Sequence, residues 1–177
     1  MHNELPSDRD LPSTFGKAML LGAWVVGIAL LAMLFSNYTE RQHNPNRNLA
    51  LHVASDGLPQ VVLERNRLGH YVASGHINNQ PVVFMLDTGA TTVSLPLNLA
   101  RQIGLDLRPG GMSKTANGMV QTWTTRLDSV NLGGFAVHHL RATVLPNLPG
   151  DQVLLGMDFL KRFELIQRGN QLTLRLP

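Results

Sequence analysis

The chain of 177 residues contains no cysteine. A disulfide framework, a thiolate zinc site and a cysteine nucleophile are therefore excluded, although this alone leaves the redox compartment open. Aromatic residues are scarce at 6%, and charged residues make up only 15%. The net charge is +3, and the basic residues beyond position 48 are scattered among acidic ones with no aromatic and basic platform. That pattern argues against nucleic acid as a partner. Histidines do not assemble into a metal set either. His138 and His139 are neighbours whose side chains should leave opposite faces of a strand, and His70 and His76 have no third ligand at suitable spacing. No metal and no cofactor are expected.

The chain is 44% hydrophobic, enough for one ordinary domain and an appendage. Residues 1–16 carry neither periodicity nor an apolar run and read as a flexible tail. At 18–35 the sequence AMLLGAWVVGIALLAMLF has no charge and would span about 27 Å as a helix. A single transmembrane helix over 17–36 is expected, with 18–35 in the lipid bilayer. A cleaved signal peptide fits less well, because the run exceeds an ordinary signal core and no small-residue cleavage site follows it. Charge does not orient the helix: Arg9 and Lys17 precede it, and Arg41 and Arg47 follow it. The folded part follows the helix, which favours an inward N-terminus. Residues 37–48, with Asn-Pro-Asn-Arg-Asn, read as a juxtamembrane linker.

The remainder, 49–177, is a succession of short β-branched runs broken by Gly, Asn and Pro, which predicts a mainly β domain. Strands are expected near 60–64 and 71–77, with Asn78-Asn79 turning into an apolar strand at 82–86. Leu97 to Ile103 is a helical turn started by Pro96 and stopped by Gly104. Asn117-Gly118 signals a β-hairpin. Gly133-Gly134 joins two alternating strands, and Leu172-Thr-Leu-Arg-Leu176 closes the chain with another.

One stretch organises the rest: Val82-Val83-Phe84-Met85-Leu86-Asp87-Thr88-Gly89-Ala90-Thr91-Thr92-Val93-Ser94-Leu95. An apolar strand delivers an ionisable Asp87 directly to a glycine turn. An unpartnered carboxylate buried there would cost several kcal/mol or take up a proton. A plain Asp-Thr-Gly turn between strands would also fit. A second apolar element, Val153-Leu-Leu-Gly-Met-Asp-Phe-Leu160, ends in Gly156 and passes into a short helix. In order, Asp-Thr-Gly-Ala-Thr, Thr-Ala-Asn-Gly, Leu-Asp-Ser-Val-Asn-Leu-Gly and Leu-Leu-Gly-Met-Asp-Phe-Leu resemble the bacterial membrane-anchored retropepsin-like aspartic proteases, over roughly residues 58–177.

The resemblance implies a retropepsin-like closed β-barrel, the acid-protease fold with one lobe per subunit, anchored in the inner membrane with its domain in the periplasm. It implies Asp87 as the catalytic residue, with Thr88 bonding across a dimer, Gly89 permitting close approach and Ala90 completing the loop. Ala116, Asn117 and Gly118 would form the tip of a substrate-covering flap. This tip departs from the glycine-rich flap of viral relatives. Leu155 and Gly156 would thread beside the Asp87 loop as framework.

Peptide hydrolysis without a metal or a covalent nucleophile needs two carboxyl groups, one taking a proton from water while the other polarises the carbonyl. The chain has one Asp-Thr-Gly. A two-fold homodimer would bring two copies of Asp87 face to face, making a bell-shaped pH profile on the acid side of neutral. The substrate would be a polypeptide. Asp158, at a helix start, suits a capping or turn role, and Asp128 an outward strand position. Two rivals remain: a non-proteolytic membrane-tethered dimerisation or peptide-binding module of the same fold, and a protease acting mainly on its own linker.

Overall fold

The computed structural model of the protein describes residues 12–115 and 118–177, and the chain divides into two units, Met1–Glu40 and Arg41–Pro177. The first is formed by α1 (Pro12–His43), which ends just beyond the unit boundary. Residues 16–41 are exposed on every side, with no single apolar stripe that a core could cover. Among the described residues this helix alone is long and apolar enough to cross a membrane.

Residues 37–48 were expected to be linker, and the structure differs there. The helix continues to His43 because nothing before Pro45 breaks it, and Thr39 satisfies its hydroxyl on the carbonyls of Phe35 (3.0 Å) and Ser36 (2.9 Å). Arg41 and His43 lie in the last turn, where positive charge suits the carbonyl end of the helix. Asn46 is then only 5% exposed. Its side chain donates to the carbonyls of Glu64 (2.8 Å) and Val72 (2.7 Å) and accepts from the Glu64 N–H (2.7 Å). Asn44 donates to the Ser74 hydroxyl at 3.0 Å. A stretch that composition marks as loose is thus stitched into the folded unit.

That unit is mostly β. Its elements in chain order are β1 (His52–Val53), β2 (Pro59–Glu64), β3 (Val72–Ile77), β4 (Gln80–Leu86), β5 (Val93–Pro96), α2 (Leu97–Gln102), β6 (Arg108–Thr115), β7 (Gly118–Leu132), β8 (Phe135–Leu145), β9 (Gln152–Leu155), α3 (Met157–Leu160), β10 (Glu164–Arg168) and β11 (Gln171–Arg175). Turn chemistry fixes two hairpins. Asn78 and Asn79 both take positive φ (48° and 65°) where Ile77 faces Gln80, and Gly133 and Gly134 do so (60° and 102°) where Leu132 faces Phe135. Two consecutive left-handed residues give the twist that a tight hairpin needs.

The larger sheet has the order β3-β4-β9-β5-β8-β7-β6, and β3 also pairs with β7 at His76–Asn131 and Ile77–Val130, so the sheet curls back on itself. Inside the curl lie Phe84, Leu95, Leu127, Leu155 and Phe159, all fully buried. The smaller sheet, β1-β2-β11-β10, is tied across its edge by Arg175, which reaches Glu164 on β10 and Asp56 ahead of β2. The hydrogen bond and charge of Glu164 raise the Arg175 guanidinium above its ordinary value, with Asp56 adding to the effect.

Candidate active site

Two crossings build the site. β4 and β9 run parallel, with Leu86 opposite Leu155, while β9 touches β5 in the antiparallel sense at Ser94–Leu154. The 87–92 segment, which joins β4 to β5, must therefore pass around the end of β9. It is held there by backbone bonds: the Asp87 N–H donates to Leu155 (3.2 Å), the Met157 N–H to Ala90 (2.8 Å) and the Asp158 N–H to Thr91 (3.0 Å). The last two donors open α3, where helix geometry leaves N–H groups without internal acceptors. The loop supplies those acceptors, so helix and loop fix one another.

Gly156 explains why a glycine follows β9. A Cβ there would stand 2.4 Å from the Thr92 carbonyl oxygen and 2.6 Å from that of Ala90. Backbone passes too close for any side chain. Leu155 and Gly156, expected as framework, lie against the Asp87 loop.

Asp87 stands at the end of β4, half-buried rather than enclosed in the core. The strand is paired on both sides, but the residue that follows it emerges at the sheet's end, where part of its surface is open to solvent. Its Oδ1 accepts the Gly89 N–H at 2.8 Å, and its carbonyl accepts the Ala90 N–H at 3.2 Å. These bonds close a tight turn and aim the carboxylate. A Cβ on Gly89 would come within 3.1 Å of Oδ1. Thr88 and Gly89 are exposed and Ala90 is half-buried. Further along, the Thr92 and Thr143 hydroxyls lie 3.0 Å apart, linking the loop to β8.

The expected hairpin forms from β6 and β7, which meet where Thr115 faces Gly118. Gly118 has φ of 103° and is exposed; Ala116 and Asn117 lie outside the described residues. An unforeseen irregularity shifts the register between Pro109 and Met112. The Thr122 hydroxyl donates to Gly111 (2.8 Å) and the Gln121 amide to Gly110 (2.7 Å), so two side chains of β7 hold the bulge. Pro-Gly-Gly in the sequence was its only signal.

Asp158 does not cap α3, whose N-cap residue is Gly156; its carboxylate instead accepts from Lys161 Nζ at 3.1 Å. Asp128 is exposed on β7, and its carbonyl lies 3.2 Å from His138 Nδ1. His139 has φ of 57°, which interrupts plain strand alternation, and its ring centroid is 6.3 Å from that of His138. Sequence reasoning missed the Ala90 and Thr91 carbonyl acceptors and the Thr92–Thr143 contact, because carbonyl directions and cross-strand partners leave no local pattern.

An Asp-Thr-Gly loop threaded by a hydrophobic-hydrophobic-Gly strand on a curled β-sheet defines the retropepsin class of fold. Solved structures agree: a retropepsin-like aspartic protease from Rickettsia conorii superposes with a TM-score of 0.59 at 29% identity, over 72% of this chain and 95% of that one. Residues 73–162, which include the whole loop and its framework, match the family described as "gag-polyprotein putative aspartyl protease". The chain belongs to the retropepsin-like aspartic protease family. Curated relatives include an uncharacterized protein in the cobV 5' region of Sinorhizobium sp., 33% identical over 127 residues, covering 68% of this chain and 54% of that one. An uncharacterized protein of Rickettsia prowazekii (strain Madrid E) is 32% identical over 108 residues, covering 59% and 46%. The chain spans about half the length of these curated relatives.

Proposed function

We propose that the protein is a membrane-anchored aspartic endopeptidase whose catalytic site forms when two chains bring their Asp87 carboxylates together. The observation that carries this reading is the placement of Asp87: one aimed carboxylate per chain, at the end of β4, beside an exposed Thr88-Gly89. Two-fold symmetry supplies the second carboxylate, since an isologous contact sets identical residues against each other. Thr88 would then bond across the dimer, and Gly89 would admit the partner's backbone.

In such a pair, like charges at short range keep one proton between them. The ionised carboxylate accepts a proton from a water whose oxygen attacks the scissile carbonyl, while the protonated partner donates to the carbonyl oxygen. Collapse of the tetrahedral species breaks the C–N bond, and the leaving nitrogen takes a proton from the dyad. Because one group must be charged and one neutral, activity should fall on both sides of a pH optimum. The β6–β7 hairpin would cover an extended substrate with its tip near Ala116, Asn117 and Gly118, offering backbone groups to it. We place α1 in the bacterial inner membrane and the β unit in the periplasm, supported by the all-round apolar exposure of the helix.

The test is hydrolysis of casein by the full-length chain in detergent micelles across mildly acidic pH, beside Asp87→Asn and Asp87→Ala, with subunit association measured in parallel. Cleavage by the parent that rises with dimer fraction and is absent from both variants is the expected result. Equal cleavage by all three removes Asp87 from the chemistry. A folded dimer that binds casein without cutting it at any pH favours the non-proteolytic module.

A further inference from the structure

On the solvent side of the β7–β8 ribbon lies a cleft of about 710 Å³. Its floor carries Arg126 and Arg141, its wall is the 104–108 segment that follows α2, and Thr92 of the Asp87 loop lines one end. Arg126 and Arg141 are directly opposite one another in the antiparallel register. Both are exposed, and neither has a carboxylate within ion-pair distance among the described residues. Like charges facing across two strands repel, so the pairing is unfavourable in the free chain and would be relieved by an anion held between them. Two adjacent guanidinium groups present planar N–H forks, the geometry that grips a carboxylate through paired bonds.

The other charges of the cleft do not cancel this. Asp106 lies 3.6 Å from Arg108 at the rim, and that pair is solvent-exposed. Asp128, two residues along β7 from Arg126, also lines the cleft but lies beyond ion-pair distance of either arginine. Thr92 and Thr143 contribute hydroxyls 3.0 Å apart. Only one proton is used between them, which leaves the other for a ligand oxygen.

We infer that this cleft is a subsite for acidic side chains of the polypeptide substrate, with Arg126 and Arg141 gripping a carboxylate at a distance from the scissile bond. The inference rests on the peptidase reading, because Thr92 joins the cleft to the segment that carries Asp87. It gives that reading a substrate preference: unstructured polypeptide with Asp or Glu flanking the cut. A neutral peptide leaves the two arginines facing each other unrelieved.

The experiment uses full-length Asp87→Asn protein in detergent micelles, so that binding is read without cleavage. The probes are a fluorescein-labelled unstructured peptide with glutamates at alternate positions and its glutamine counterpart, followed by anisotropy. The glutamate peptide should bind roughly tenfold tighter at low salt, with the difference shrinking as salt screens it. Adding Arg126→Gln with Arg141→Gln should bring the two affinities together, without lowering the melting temperature, since a repulsive pair is removed. The corresponding double lysine variant, which keeps charge and loses the forks, should recover part of the preference. Equal affinities in the parent, or a preference that survives the double glutamine variant, overturn the subsite. Cleavage of both peptides at equal kcat/KM by the Asp87 protein also overturns it while the peptidase reading stands. Preferential binding with no cleavage of either peptide retains the arginine pair as a peptide site and removes the peptidase reading instead.

Discussion

Among the described residues, Asp87 is held by its own loop rather than by any side chain. The Gly89 N–H is the donor that orients Oδ1, and the same glycine leaves the space in which Oδ1 rests. Substitution of Gly89 by alanine keeps the donor but sets a methyl 3.1 Å from that oxygen, so the carboxylate must rotate or shift by a few tenths of an ångström. Hydrolysis depends steeply on such placement, and kcat should fall by roughly one to two orders of magnitude. Steady-state kinetics on protein with unchanged circular dichroism checks this; an alanine variant with parental kcat would show that the carboxylate is positioned from elsewhere. The identity of this residue was readable because Asp-Thr-Gly carries its own turn chemistry. Its half-exposure was not, since strand periodicity says nothing about where a curled sheet ends.

The elements were mostly legible, and the contacts between them were not. Asn78-Asn79 and Gly133-Gly134 marked hairpins that the structure contains, because a turn of two left-handed residues is a local requirement. Gly156 stood out at a strand end, but the reason lies in Thr92 and Ala90, dozens of residues earlier in the chain. Gly156→Ala drives a Cβ into two backbone carbonyls that cannot rotate away, and should cost about 3 kcal/mol of stability by denaturant unfolding. A loss near zero would mean the loop can move off β9. Asn46 is the converse case, a residue that read as linker. Asn46→Ala deletes three hydrogen bonds and strands the Glu64 N–H and the Glu64 and Val72 carbonyls, for an expected loss of about 2–3 kcal/mol. Proteolytic cutting of residues 44–48 should accelerate with it, and a variant as stable and as resistant as the parent would return this segment to the role of linker.

At the scale of the whole molecule, the proposed site belongs to no single chain. Mixing parent with Asp87→Asn protein, after subunits exchange, should therefore suppress activity beyond simple dilution. At equal amounts, roughly a quarter of the dimers keep both carboxylates, and activity per parent chain halves. Measurement of hydrolysis against the added variant, in micelles that permit exchange, distinguishes this from a site complete within one chain, for which the variant would be inert. The helix enters the same question. Two chains confined to one bilayer meet at higher effective concentration than two in solution, so truncation before residue 41 should raise the concentration at which activity appears.

The sequence by itself determined the class of the molecule: an apolar helix of membrane-spanning length and a β domain in which one Asp-Thr-Gly is followed by Leu154-Leu155-Gly156 in the order that retropepsin-like chains use. These are local signals, carried by periodicity, turn residues and short motifs whose chemistry depends on neighbours in the chain. Tertiary structure alone decided how far the helix runs, that Asn46 is buried, that Gly156 is gripped between two carbonyls, and that Arg126 and Arg141 face each other over a cleft. Each of those depends on which distant backbone segment passes within a few ångströms, and that is set by the curl of the sheet and the register of its strands rather than by any neighbouring residue.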